Sequence, residues 1–399
     1  MATRVPHRIG LYLAFVQFFF TLTWTVYVIY LPKLAAQAGI PREAVVWILM
    51  ADQIIFVAVD YAMGVAADRM AKVLGKLSYV VLAVTLGSCL AFLLLPFVAP
   101  AGGAWLFLLF TAAWTVSSSA LRAPPLVLVG KYAAQPSVPW LSALSLFGLG
   151  LASAVSPYLT IELRDADPRL PFVLSSVALA LATLGIRWAE RNLAQDAAEA
   201  KAAAVEPAPA PWAVWFLIAV LLLGFGFQIH FSLNTASLFL KHAPPSELPY
   251  LMPVFWIGFN LLMLPASLAA KRYGGLPVAA AGALLAAVAA LGTQYAVTKN
   301  ELVALQFVAG GGWGCVLMSA FSAAIALGHT GREGRMTGAL FSLLALAAVA
   351  RIVILAAQLN THSVFVAASA WLPVAAWGIA GLLLLALLPK QKKPMPAPA

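Results

Sequence analysis

Twelve times along this chain an apolar run reaches roughly 20 residues, about the length a helix needs to cross the ~30 Å hydrocarbon core of a bilayer. The runs fall near 9–31, 43–67, 77–97, 104–129, 139–160 and 170–189, then near 212–236, 249–270, 276–297, 302–328, 337–359 and 364–388. In lipid a spanning segment must bond its own backbone N–H and C=O groups, so each run is predicted to be a helix. Of the 399 residues, 63% are hydrophobic and 10% charged, more apolar surface than a soluble fold of this size hides. The sequence therefore predicts an all-α membrane protein with the lipid bilayer as its surroundings. The net charge of +10 reads as short basic loops that orient the chain, and no nucleic-acid partner is expected.

Cys89 and Cys315 both lie in apolar runs with no C-x-x-C spacing, so no disulfide, metal site or redox cofactor is expected. Arg4, His7 and Arg8 precede an apolar stretch to Leu31. At ~23 residues it exceeds the core of a cleavable signal and reads as a retained first span.

The one long polar stretch, 191–211, divides the chain into a unit over 1–190 and a unit over 212–399 with a short basic tail. The start of that stretch reads as a surface helix, and Pro207, Pro209 and Pro211 as a stiff extended end. With the N-terminus cytoplasmic, sixteen Lys and Arg fall inside, six outside and two within spans. That bias places both termini in the cytoplasm, in a plasma or bacterial inner membrane. Trp105, Trp140, Trp188, Trp212 and Trp371, at helix ends, read as interfacial anchors.

Between the second and third runs stands Gly64-x-x-x-Asp68-Arg69-x-Ala71-Lys72, and about 203 residues on, Ser267-x-x-x-Lys271-Arg272-x-Gly274-Gly275 repeats its layout. The first copy resembles the G-x-x-x-D-R-x-G-R/K loop of the major facilitator superfamily, with Ala71 where that family has its second glycine. Gly64, Asp68, Arg69 and Lys72 are thereby candidates for a cytoplasmic gate: the small residue lets helices approach, and the charges pair across an interface that opens and closes. The resemblance implies twelve transmembrane helices in two pseudo-symmetric six-helix bundles. It implies a cavity lined by helices 1, 4, 7 and 10, with contacts between halves at helices 2 and 11 and helices 5 and 8. Helix 5, with Ala152-x-x-x-Ser156-Pro157, is similar to the G-x-x-x-G-P element of drug/proton antiporters, while helix 4 has Arg122-Ala123-Pro124-Pro125 in place of R-x-x-Q-G. The paired prolines predict a kink at Arg122.

Charges in hydrocarbon call for a partner or a function, and four lie in the spans: Asp52, Asp60, Arg122 and Arg351. Asp52 and Arg351 both lie ~13 Å from the outer surface at 1.5 Å per residue, which predicts an ion pair between helices 2 and 11. Asp60 and Arg122 share a depth near the cytoplasmic end and are expected to pair within the first half. All four, with His230, are candidates for proton coupling or gating.

The expected substrate cavity takes Gln17, Thr21, Trp24 and Tyr27 from helix 1 and Gln228, His230 and Asn234 from helix 7. Helices 8 and 10 add Asn260, Gln306 and Trp313. His230, Asn234 and Ser237, at i, i+4 and i+7, are expected on one face, with His230 in the register of Tyr27. The glycines around Trp313 (Gly310, Gly311, Gly312 and Gly314) predict close packing of helix 10. No catalytic triad or metal-ligand set is visible, so an enzyme is not expected.

These residues predict a monomeric secondary transporter that moves a small amphipathic or weakly anionic solute by alternating access, with protons as the coupling ion. The alternatives are a transition-metal transporter of the same fold, using His230 and methionines, and a non-transporting assembly factor or sensor on the same scaffold.

Overall fold

The computed structural model describes residues 7–73, 75–132, 137–198, 212–328 and 331–391, and every regular element among them is helical. Among the described residues, ten helices are long and apolar enough to cross a membrane, or eleven if the bent pair Ser363–Ser369 and Leu372–Leu388 is one span. One of them, Lys76–Lys131, has 56 residues. A straight helix of that length would reach ~84 Å, nearly three bilayer cores. It folds back at Gly103, whose φ of 68° and ψ of −178° interrupt the helix. A left-handed φ of this kind suits glycine, which has no Cβ to clash. Two spans therefore come from that segment, and the described residues hold twelve in all.

Span 1 is His7–Gln37 and span 2 Val45–Met70. Spans 3 and 4 flank Gly103, and span 4 ends with Ala123–Tyr132. Span 5 is Val138–Leu163, and span 6 combines Arg169–Thr183 with Ile186–Ala198. Span 7 runs through Ala213–Phe227, a π-helical turn at Gln228–Asn234, and Thr235–Phe239. Spans 8 to 11 are Pro253–Tyr273, Gly275–Thr293, Lys299–Gly328 and Glu333–Ala356. Span 12 is the bent pair ending in Leu372–Gln391. Helix Ile186–Ala198, which runs past residue 190, buries Ala189 and Leu193. The rest of the polar stretch, with Lys201 and its three prolines, lies outside the described residues, as do Arg4, Lys392 and Lys393.

Spans 1, 3, 5 and 6 pack together in the first half, and spans 8, 9, 10 and 12 in the second. The halves meet mainly where span 2 lies on span 11 and span 5 on span 8, as the family resemblance implied. Span 10 packs closely on span 8, as its glycines predict: a Cβ on Gly310 would collide with the backbone of Phe255. Below, the side on which span 6 ends and span 7 begins is called the linker side.

Candidate functional site

Between the halves lies a cavity of about 250 Å³. Six aromatic residues stand on its wall: Phe20 and Trp24 from span 1, Phe56 from span 2, Trp114 from span 4, Phe321 from span 10 and Phe341 from span 11. Gln17, Thr21, Gln53, Ser118 and Ser145 supply neutral polar groups. Among the described residues, Arg122 is the single charged side chain on this wall.

The local sequence explains how Arg122 reaches it. Pro125 has no N–H, so the carbonyl of Leu121, four residues earlier, loses its helical partner. The chain breaks there, with a short 3₁₀ turn at Ser119–Leu121 and Arg122 at φ −91°, ψ −81°. Gln17 Nε2 from span 1 donates to that freed Leu121 carbonyl at 2.9 Å. The expected kink is thus present and tied to the neighbouring helix. Arg122 Nε lies 3.0 Å from Asp60 Oδ2, and the side chains are 18% and 0% exposed. The guanidinium also sits over the rings of Phe56 (4.4 Å) and Phe341 (5.1 Å). The cation thus has an anionic partner behind it, aromatic faces from both halves beside it, and the cavity in front.

On the linker side the halves are shut. Both oxygens of Asp68 accept backbone N–H groups at the start of span 11, from Gly334 (2.6 Å) and Arg335 (2.8 Å). A carboxylate on a helix N-terminus meets unpaired N–H groups and the positive end of the dipole. Arg335 Nε donates to Tyr61 Oη at 2.8 Å, adding a second bond across the seam. Gly64 makes the approach achievable, since a Cβ there would collide with the backbone of Gly334 and lie 3.0 Å from Gly338 Cα. Arg69 and Lys72 line the adjacent cleft with Arg332 and Arg335. The acid of the sequence motif therefore bonds backbone rather than a base.

Of the expected cavity residues, Gln17, Thr21 and Trp24 line it and the other seven do not. Tyr27 stands behind the wall, where its hydroxyl donates to Asp52 Oδ2 at 2.7 Å. Thr115 Oγ1 reaches Asp52 Oδ1 at 2.7 Å. This corrects the expected Asp52–Arg351 pair. Asp52 turns into the first half, and Arg351 forms no ion pair among the described residues, its buried Nε without a hydrogen-bond partner. Equal depth set the height of the two groups but not the direction each faces around its helix.

His230 is likewise displaced. It is 1% exposed within the second half, its Nε2 3.1 Å from Gln306 Oε1 and its ring 5.2 Å from that of Trp377. The π turn widens the helix, and Thr235 Oγ1 bonds the His230 carbonyl. The i, i+4, i+7 face is lost with it: Asn234 donates to the Ser369 carbonyl at 2.6 Å, while Ser237 is exposed. Trp313 stacks on Phe227 at 4.7 Å, and Asn260 is buried where span 8 meets Gly150 of span 5. Gln228, half-buried, accepts from Ser232. Span 7 therefore adds nothing to the wall, and spans 2, 5 and 11 take its place. Gln53, Phe56, Trp114, Phe321 and Phe341 line the cavity without having been expected there. Only Phe56, one turn from both Asp52 and Asp60, carried a positional signal.

Among solved structures, the human organic anion transporter MFSD10 (TETRAN) is 15% identical at a TM-score of 0.71, covering 96% of this chain and 99% of that one. A bacterial homologue of the iron transporter ferroportin, in an outward-facing state, is 12% identical at 0.72, covering 96% and 100%. The proton:xylose symporter XylE, bound to 6-bromo-6-deoxy-D-glucose, is 14% identical at 0.68, covering 98% and 97%. Identities this low speak to the fold alone. Among curated protein sequences none matches the chain. The sequence profile described as Major Facilitator Superfamily matches residues 13–350. The chain belongs to the Major Facilitator Superfamily and is a membrane transporter rather than an enzyme.

Proposed function

We propose that this transporter carries a small amphipathic, weakly anionic solute by alternating access, and that Arg122 receives the anionic group. The observation that carries this reading is the Arg122 side chain on an aromatic wall, backed by a fully buried Asp60. The rings of Trp24, Trp114, Phe321 and Phe341 suit the apolar part of such a solute. The guanidinium binds a carboxylate through two parallel N–H donors. As the solute engages Arg122, Asp60 loses its partner, and a buried carboxylate without compensation is strongly unfavourable. A proton on Asp60 resolves this, so solute and proton load together. The sealed linker side corresponds to the outward-facing arm of the cycle, with both termini in the cytoplasm of a plasma-membrane monomer.

A metal cargo is less well supported, because His230, the expected anchor, lies inside the second half beside Gln306. A non-transporting scaffold accounts less well for a cavity with a cation on its wall. The test is a thermal-shift screen of purified protein against small carboxylates and their matched neutral amides. Carboxylates should stabilise the native protein and fail with Arg122→Gln. Equal stabilisation by the amides, or of the variant, would refute the assignment of Arg122.

A further inference from the structure

Away from the cavity and the gate, a cleft of about 520 Å³ opens on the linker side where span 3 begins and span 6 ends. Both spans pack within the first half. Lys76 and Tyr79, at the start of span 3, form one wall, and Arg187 and Arg191, on helix Ile186–Ala198, form the other. The two arginines are four residues apart and so share one helix face. The opposite face of that helix is buried through Ile186, Ala189 and Leu193.

Glu190, next to Arg191 in the chain, is not on the cleft wall. Glu190 is fully buried and accepts from Ser78 Oγ at 2.5 Å. Among the described residues the cleft wall therefore carries three cations and no acid. The N-terminus of span 3, which begins at Lys76 after the left-handed Gly75 (φ 80°), adds its partial positive charge.

Depth points to what neutralises these charges. Tyr79 and Trp188 are exposed aromatic residues beside the cleft, of the kind that sit at the headgroup level of a bilayer. Toward the middle of the bundle the same spans expose Leu86 and Leu90, and Leu181 and Leu184. Cations at headgroup depth above a lipid-facing apolar strip fit a ligand with a phosphate at one end and acyl chains at the other. We propose that this cleft is a binding site for an anionic phospholipid of the linker-side leaflet, its phosphate held by Lys76, Arg187 and Arg191. The guanidinium forks of Arg187 and Arg191 match phosphate oxygens, and the acyl chains run down the exposed leucines.

The test uses the full-length protein in detergent, titrated with phosphatidylglycerol or phosphatidylcholine, with bound lipid counted by native mass spectrometry. The native chain should retain phosphatidylglycerol preferentially. The variant Lys76→Gln/Arg187→Gln/Arg191→Gln should lose that retention on the order of tenfold or more. Lys271→Gln/Arg272→Gln, which removes two cations at the linker-side end of span 8, should leave it intact. Equal retention by the triple variant would overturn the site. Displacement of the lipid from the native chain by millimolar inorganic phosphate would overturn the lipid as occupant in favour of a free anion. If the triple variant does not purify in a folded form, the exposed single change Arg187→Ala carries the test. A partial loss is then expected, and undiminished retention refutes the proposal.

Discussion

The two halves of this transporter share a fold but not a chemistry. The first half holds Asp52, Asp60 and Arg122 inside its spans and binds each carboxylate with partners of its own. The second half is packed with small residues: Ala279, Ala280, Ala283, Ala286 and Ala290 of span 9 are buried in its core. Its polar interior, the His230–Gln306–Thr235 cluster with Asn260 and Arg351, is off the cavity wall. To the cavity it shows Leu317, Phe321, Phe341 and Leu344. The difference points to a division of labour, with recognition and the paired charges in one half and an apolar cavity wall in the other, joined where Asp68 caps span 11.

The sharpest way to break this contrast is at the buried pair. Arg122→Ala leaves Asp60 uncompensated and should destabilise the fold by about 3–5 kcal/mol, the usual result of removing one partner of a buried pair. Adding Asp60→Asn should recover most of that stability without restoring solute uptake. Unfolding midpoints and proteoliposome uptake, read side by side, separate the two effects. Stability that stays low in the double variant would show that Asp60 is not the partner that matters.

At the seam, Gly64→Val should stop spans 2 and 11 from closing, given the collision a Cβ there would meet. Distances between spin labels on the linker side should then lengthen in most molecules. Asp68→Asn removes charge but keeps a side-chain oxygen, so its effect is smaller. A cap of this kind is worth about 0.5–2 kcal/mol, which corresponds to roughly a two- to thirtyfold shift toward the linker-side-open state in the same distance measurement.

The smallest effect on transport is expected in the second half. His230→Ala strands Gln306 and should cost about 1–3 kcal/mol of stability, while solute affinity stays unchanged. A large drop in affinity with stability preserved would return His230 to the binding site and remove the contrast between the halves.

Much of this was legible in the chain. The spans follow from runs of apolar residues, and the break at Arg122 follows from two adjacent prolines. The Asp60–Arg122 pair follows from equal depth on helices of one half. The same depth reasoning misplaced Asp52, whose partners Tyr27 and Thr115 come from spans 1 and 4. It also had no means of detecting the π turn that rotates His230 and Asn234 apart, since no residue in Gln228–Asn234 signals it. Phe321 and Phe341 look, in sequence, like any lipid-facing aromatic residue.

The helices, their number and the depth of each buried charge were written in the chain, because backbone bonding in lipid and a fixed rise per residue are local properties. Which way each side chain points around its helix, and so whether it meets the cavity, the seam or a neighbouring span, was decided only by packing. Helices distant in sequence supply the groups that a buried polar atom needs, and a helix settles at the rotation that satisfies them.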